Sequence, residues 1–227
     1  MVKAKILVVG PCESGKTCIC NYLAEATESS GGEYHPTQGV RILELEVEGE
    51  EETGRTLLVE VELWDCSGSK QWVGPVVMGN ASTDTFYPLY TVVYVQQCNV
   101  CRFERCWPAM VKDTHGVVLV HNPDQPQQEK ELERWYSYFV KQQGLQDDQC
   151  LALSHHKPVS AGYTETSPDS QLSSERLSGI RQVHTSLEEE PEAVRDEFNS
   201  FLMSVVGSWA DRQHREEGSI IDGDNEF

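Results

Sequence analysis

Residues 10–17 carry the pattern with the clearest chemistry in the chain. They read Gly-Pro-Cys-Glu-Ser-Gly-Lys-Thr and fit G-x-x-x-x-G-K-[ST] at every defined position. The glycines let the backbone curl so that successive N–H groups point at a phosphate, Lys16 reaches the β- and γ-phosphates, and the Thr17 hydroxyl holds Mg²⁺. An apolar run precedes the pattern and a helical pattern follows it, so the sequence predicts a phosphate-binding loop at a helix N-terminus.

Two more segments can complete such a site. Asp65 and Gly68 form D-x-x-G at the end of an alternating segment, where a carboxylate is the expected Mg²⁺ holder of a P-loop nucleotidase. The Gly68 N–H can approach a γ-phosphate. Thr37, in the loop before an earlier alternating segment, could bind Mg²⁺ and sense the γ-phosphate. We therefore predict Thr17, Thr37 and Asp65 as ligands of Mg²⁺.

The elements that must position these residues alternate between strand and helix. Apolar patterning predicts six strands, over residues 5–9, 42–48, 56–64, 116–120, 149–154 and 180–185. Helical periodicity predicts about five helices, among them residues 17–26, 127–140 and 188–209. This order favours a mostly parallel sheet with helices on both faces and one antiparallel hairpin. In such a sheet, ligands bind beyond the carboxyl ends of the strands.

Composition excludes some classes of function. The chain has 227 residues, with 18 basic against 37 acidic residues and a net charge of −19. That charge repels phosphate backbones and anionic lipids, so we expect no nucleic-acid partner. No stretch approaches the roughly 20 apolar residues of a membrane helix, and we expect neither a lipid anchor nor direct membrane insertion. The eight cysteines lack a disulfide-framework spacing, which favours the cytoplasm.

The order of P-loop, loop threonine, hairpin and D-x-x-G is similar to that of Ras-superfamily small GTPases. Residues 10–17, 36–44, 62–66, 103–110 and 155–158 resemble, more specifically, the Rab-like GTPase subunit of the intraflagellar transport B complex. The resemblance covers residues 2–221 apart from one segment. It implies an α/β P-loop NTPase fold of small-GTPase type, GTP or GDP with Mg²⁺ as ligands, and coiled-coil subunits of that complex as partners. It also implies a setting in the cytoplasm, cilium and basal body.

The residues expected to contact the nucleotide follow from the P-loop and from this resemblance. The set is Gly10, Cys12, Glu13, Ser14, Gly15, Lys16, Thr17, Cys18, Thr37, Asp65, Gly68, His156, Lys157 and Ser186. Small GTPases read guanine with N-K-x-D, whose Asp accepts two hydrogen bonds. The matching residues 156–159 read His-Lys-Pro-Val. Lys157 can still pack over the base, but Val159 cannot accept, at a cost of about 3 kcal/mol or roughly 100-fold in affinity.

The catalytic position also departs from the family. Active members place a water-orienting glutamine directly after D-x-x-G, where this chain has Ser69. Because unaided turnover is only about 10⁻⁴ to 10⁻³ s⁻¹ even with that glutamine, we expect at most a slow GTPase. Three interpretations remain: a nucleotide-shaped adaptor, a GTP-hydrolysing switch that needs a partner, and an adenine-nucleotide enzyme such as a kinase. The third requires an arginine-bearing lid, which the sequence lacks.

The predicted domain organisation is a G domain over residues 1–210 and a polar tail over residues 211–227. Residues 72–102 interrupt the domain and have no counterpart in the family pattern. Without them, Gln71 joins Phe103 in the expected register. We interpret this insert as a retained intron or an alternative exon that is translated into the loop after D-x-x-G.

Overall fold

The computed structural model describes residues 2–26, 36–50, 56–68, 107–157 and 174–223. Ser69, Val159 and the insert over residues 72–102 lie outside the described residues. The predictions made for them, and the domain boundaries drawn around them, therefore stay predictions.

Six strands form a single sheet in the order β2-β3-β1-β4-β5-β6. Their bounds are β1 Val2–Val9, β2 Val40–Glu50, β3 Thr56–Cys66, β4 Gly116–His121, β5 Cys150–His155 and β6 Arg181–Thr185. Only the β2–β3 pair of this sheet is antiparallel. The predicted α/β fold with a six-stranded, mostly parallel sheet is confirmed. The central strands are buried on both faces, which is why they read as continuous apolar runs.

Four α-helices accompany the sheet in the described part of the chain. They are α1 Lys16–Leu23, α2 Trp107–Val111, α3 Pro126–Phe139 and α4 Pro191–Gly223. On one face, Ile19 of α1 and Phe198 of α4 pack with Val8 and other strand residues. On the other, Trp135 of α3 packs with Leu119 and its neighbours. Helices thus cover both faces of the sheet and hold its strands in place.

The bounds of α4 differ from the sequence prediction at both ends. The helix begins at Pro191 rather than at residue 188, because proline has no N–H to lose in the first turn and its φ suits that position. The predicted end at Trp209 is wrong, since the helix continues to Gly223. Residues 210–217 contain good helix formers and neither glycine nor proline. The polarity of these residues therefore does not end the helix. Among the described residues, no helix combines the length and apolar content that crossing a bilayer requires.

Candidate nucleotide-binding site

The loop over residues 10–17 leaves the carboxyl end of β1 and wraps tightly against two neighbouring strands. Gly10 has φ +146, and a Cβ there would lie 2.0 Å from the carbonyl oxygen of Val120 on β4. Gly15 has φ +94, and its Cβ would lie 2.3 Å from Cδ2 of His155 on β5. Only glycine fits these two positions, because both the backbone angle and the lack of space exclude a side chain. The P-loop curl predicted from the sequence is therefore present.

The loop ends at the N-terminus of α1. Gly15 is the N-cap of this helix, so no N-cap side chain accepts from the first N–H groups. No acidic residue lies in the first turn. The first N–H groups of a helix have no partner within the helix, and they lie at the positive end of its dipole. In a chain whose net charge is −19, this end of α1 provides a local positive potential that suits a phosphate.

Lys16 places its ammonium inside the loop. Its side chain is buried, and Nζ donates to the carbonyl oxygen of Pro11 at 2.5 Å and to Oγ of Ser14 at 3.3 Å. Burial lowers the pKa of Lys16, and the nearby charge of Asp65 opposes that shift. A Cβ on Gly68 would lie 2.5 Å from Lys16 Nζ. The D-x-x-G glycine and the lysine therefore meet at one point, as a γ-phosphate site requires.

Three oxygen-bearing side chains converge beside the lysine. Thr17 Oγ1 donates to Asp65 Oδ2 at 2.9 Å and lies 2.9 Å from Thr37 Oγ1. Thr37 Oγ1 lies 3.4 Å from the same carboxylate oxygen. The Ser67 N–H donates to the Gly39 carbonyl at 2.8 Å, so the loop with Thr37 is tied to the loop after β3. The predicted trio of Thr17, Thr37 and Asp65 is thus assembled from three separate elements.

The trio fits a magnesium ion. Hydroxyl and carboxylate oxygens are the hard ligands that Mg²⁺ prefers. Asp65 is fully buried, and its Oδ1 has no hydrogen-bond partner among the described residues. Burial raises the pKa of Asp65, while Thr17 and the cations Arg41 and Lys16 oppose the shift. No group of three or more His, Cys, Asp or Glu side chains in the described ranges could hold a metal elsewhere.

One pocket opens between these groups. Its lining is Cys12, Glu13, Gly15, Lys16, Thr17, Cys18, Pro36, Thr37 and Gly68. Eight of these nine residues belong to the set predicted from the sequence. The predicted residues Gly10, Ser14 and Asp65 are buried and belong to the loop and the oxygen cluster that border it. The structure therefore brings the predicted phosphate and metal residues together at one edge of the sheet.

The residues predicted to read the base follow β5 and β6, the last two strands in the order of the sheet. His156 and Lys157 follow β5, and Lys157 Nζ lies 3.9 Å from Glu13 Oε2. His156 Nε2 lies 3.0 Å from Nδ1 of His184 on β6. Ser186 follows β6 and accepts a hydrogen bond from the Glu189 N–H at 3.3 Å. None of His156, Lys157 and Ser186 lines the pocket, and their contacts with the nucleotide stay predictions.

Two buried histidines lie where β4 and β5 end, close in sequence or space to the residues predicted to read the base. His121 ends β4 and lies 3.4 Å from Oγ of Ser154, and His155 Nδ1 lies 3.3 Å from Oγ1 of Thr185. Burial lowers the pKa of His121 to about 4, helped by His184 and His156. Burial likewise lowers the pKa of His155 to about 4. Both imidazoles are therefore neutral at physiological pH.

The sequence is closely similar to known proteins over almost its whole length. It is 43% identical over 221 residues to the "Intraflagellar transport protein 22 homolog" of Mus musculus, covering 97% of this chain and 100% of that protein. Identity to the Danio rerio protein of the same name is 41%, with the same coverage. The chain belongs to the intraflagellar transport protein 22 family. The resemblance found in the sequence motifs is confirmed, although no protein-family model matches the chain.

A solved structure of the intraflagellar transport protein 22 family has the same fold. The match is the "T. brucei IFT22/74/81 GTP-bound crystal structure", with a TM-score of 0.61 and 26% identity. It covers 93% of this chain and 99% of that chain. The predicted small-GTPase type of fold is therefore confirmed.

Four further residues shape the site in this member of the family and were not predicted from the sequence. Gln128 of α3 donates to the Cys12 carbonyl at 3.0 Å, and this hydrogen bond links α3 to the P-loop. His155 packs against Gly15, and His184 contacts His156. Arg41 of β2 lies beside Asp65. A hairpin register counted from the turn would have placed Arg41 opposite Asp65, whereas no local pattern marks the other three.

Proposed function

We propose that the chain binds GTP or GDP together with Mg²⁺ and acts in cilium assembly as a nucleotide-shaped adaptor subunit of the intraflagellar transport B complex. One observation carries this proposal. The buried ammonium of Lys16, the N-terminus of α1 and the oxygens of Thr17, Thr37 and Asp65 converge on one pocket. A nucleotide triphosphate with its magnesium ion offers the complementary charges at these positions.

The phosphates would be held by the residues of the loop. Lys16 would donate to the β- and γ-phosphates, and the backbone N–H groups near Gly15 would surround them. The N–H of Gly68 would approach the γ-phosphate from the opposite side. The base end would be formed by His156, Lys157 and Ser186, with Lys157 packed against the base.

The metal would be held by the oxygen cluster. When bound, Mg²⁺ supplies neutralisation of the charge on the β- and γ-phosphates. Asp65 positions the Thr17 hydroxyl by accepting its hydrogen bond. Because Thr37 lies in the loop that leads into β2, a change in its contacts between GTP and GDP would reshape the surface around that loop.

That surface would bind coiled-coil subunits of the complex. The name of the family supports an intraflagellar transport setting, and the Trypanosoma brucei structure named above holds IFT22 together with IFT74/81. We infer the cilium, basal body and cytoplasm as the places of action. Recruitment through protein subunits agrees with a net charge of −19, which repels anionic lipids and phosphate backbones.

A GTP-hydrolysing switch is the second candidate, and the assembled cluster of Thr17, Thr37 and Asp65 favours it. Single-turnover hydrolysis of bound GTP separates the two. Because Ser69 stands where the catalytic glutamine is expected, we predict an unaided rate below about 10⁻⁴ s⁻¹. The matched variant Ser69→Gln tests the assignment of that position and is expected to hydrolyse faster. An unaided wild-type rate equal to that of ordinary small GTPases would contradict the adaptor proposal.

A further inference from the structure

Arg41 brings a fixed positive charge to the oxygen cluster. It lies on β2 directly opposite Asp65 of β3 in the antiparallel register. Its Nη2 lies 3.7 Å from Asp65 Oδ2 and also donates to Oδ1 of Asn21 on α1. The Arg41 side chain is 26% exposed and that of Asp65 is fully buried. The pairing of β2 with β3 and the contact with Asn21 therefore hold the guanidinium next to the carboxylate.

The oxygen that Arg41 faces is the one that Thr17 and Thr37 also contact. The guanidinium of arginine carries a permanent positive charge. A carboxylate with one negative charge would then be shared by a guanidinium and a divalent ion. Since like charges repel strongly where little water intervenes, the guanidinium must lower the affinity of this cluster for Mg²⁺.

The charge of Arg41 also acts on the nucleotide. It favours the phosphates, which the chain's net charge of −19 would otherwise repel.

We propose that Arg41 is a positioning residue that acts as an internal cation at the metal cluster. It competes with Mg²⁺ for the Asp65 carboxylate oxygen that faces Thr17 and Thr37, and it thereby raises the Mg²⁺ concentration that retention of the nucleotide requires. This inference rests on the proposed nucleotide binding, and it assigns to Arg41 a role that a purely structural contact would not have.

A structural role predicts the opposite effect of the same substitution. Arg41 links β2, α1 and β3 through Asn21 and Asp65. If this link were its only contribution, neutralising Arg41 would loosen the cluster and raise the Mg²⁺ concentration that retention requires. If its charge matters, neutralisation would lower that concentration. The direction of the shift therefore distinguishes the two roles.

The experiment measures release of fluorescent N-methylanthraniloyl-GDP from the full chain as free Mg²⁺ is varied. For Arg41→Gln, we expect the half-saturating Mg²⁺ concentration to fall by about tenfold, since removing a like charge next to Asp65 strengthens divalent binding. Arg41→Lys keeps the charge and should retain the wild-type value. Asn21→Ala removes the link to α1, keeps the charge, and should also stay near wild type.

Each result decides the inference. An unchanged or increased half-saturating concentration in Arg41→Gln would overturn it, as would an equal decrease in Arg41→Lys. If Arg41→Gln does not fold, as judged by circular dichroism, Arg41→Met removes the same charge and is expected to shift in the same direction. Failure of the wild-type chain to retain the nucleotide at saturating Mg²⁺ would instead refute the proposed function, so the two failures are distinguishable.

Discussion

Replacing Lys16 by methionine is expected to weaken GTP binding by about 100-fold or more, because at least two charge-assisted hydrogen bonds to phosphate are lost. The free energy of unfolding of the nucleotide-free chain should not fall. Lys16 is buried, and burial lowers its pKa in spite of the nearby charge of Asp65, so its charge is held in the loop at a cost that a bound phosphate would offset. Methionine has a similar length and carries no such cost.

Equilibrium titration with fluorescent GTP in the presence of Mg²⁺ measures the affinity, and urea unfolding measures the stability. Lys141→Met is the matched control, because Lys141 is an exposed cation that lies 3.2 Å from Asp147, outside the pocket. It should bind GTP as the wild-type chain does. Wild-type affinity in Lys16→Met would contradict the role given to the ammonium.

Acidification from pH 7 to pH 5 is expected to cost about 4 kcal/mol of stability through two buried histidines. Burial lowers the pKa of His121 and of His155 to about 4, against about 6.5 in the unfolded chain. The unfolded state therefore binds more protons than the native state between these values. Stability is present above pH 6.5 and is lost as the pH falls toward 4, with each histidine contributing about 2 kcal/mol by pH 5.

Urea unfolding at the two pH values and constant ionic strength measures this loss. Other groups titrate as well, and the raised pKa of Asp65 acts in the opposite direction, so a variant isolates the histidine share. His121→Gln places its amide near the position of His121 Nε2, which lies 3.4 Å from Oγ of Ser154, and it cannot take up a proton. It should lose about 2 kcal/mol less than the wild-type chain between the two pH values. An equal loss in both proteins would show that His121 does not titrate as stated.

Local patterns predicted those parts of the site that are close together in the sequence. The P-loop, the start of α1 and D-x-x-G each lie within a few residues, and their glycines and polar groups have steric and chemical reasons to be there. The sheet followed from alternating strands and helices, since buried parallel strands read as apolar runs. The end of α4 was misplaced because residues 211–217 are polar, although they contain neither the glycine nor the proline that would end a helix.

Long-range contacts were not predictable in the same way. The contact of His155 with Gly15 depends on how β5 lies beside the P-loop, and the contact of Gln128 with Cys12 depends on where α3 begins. Arg41 lies beside Asp65 only because the hairpin pairs β2 with β3 in one register. A shift of that register by one residue would turn Arg41 to the other face of the sheet. Such contacts follow from packing rather than from spacing along the chain.

The most direct test of nucleotide binding is to identify the nucleotide that the chain retains. Purified protein is equilibrated with equal excesses of GTP and ATP in Mg²⁺, desalted rapidly and denatured, and the released nucleotide is separated and quantified. We predict guanine nucleotide in near-equal proportion to protein, in spite of Val159 in the base motif. Release of adenine nucleotide would contradict the guanine assignment, and release of no nucleotide would contradict the account of the phosphate site.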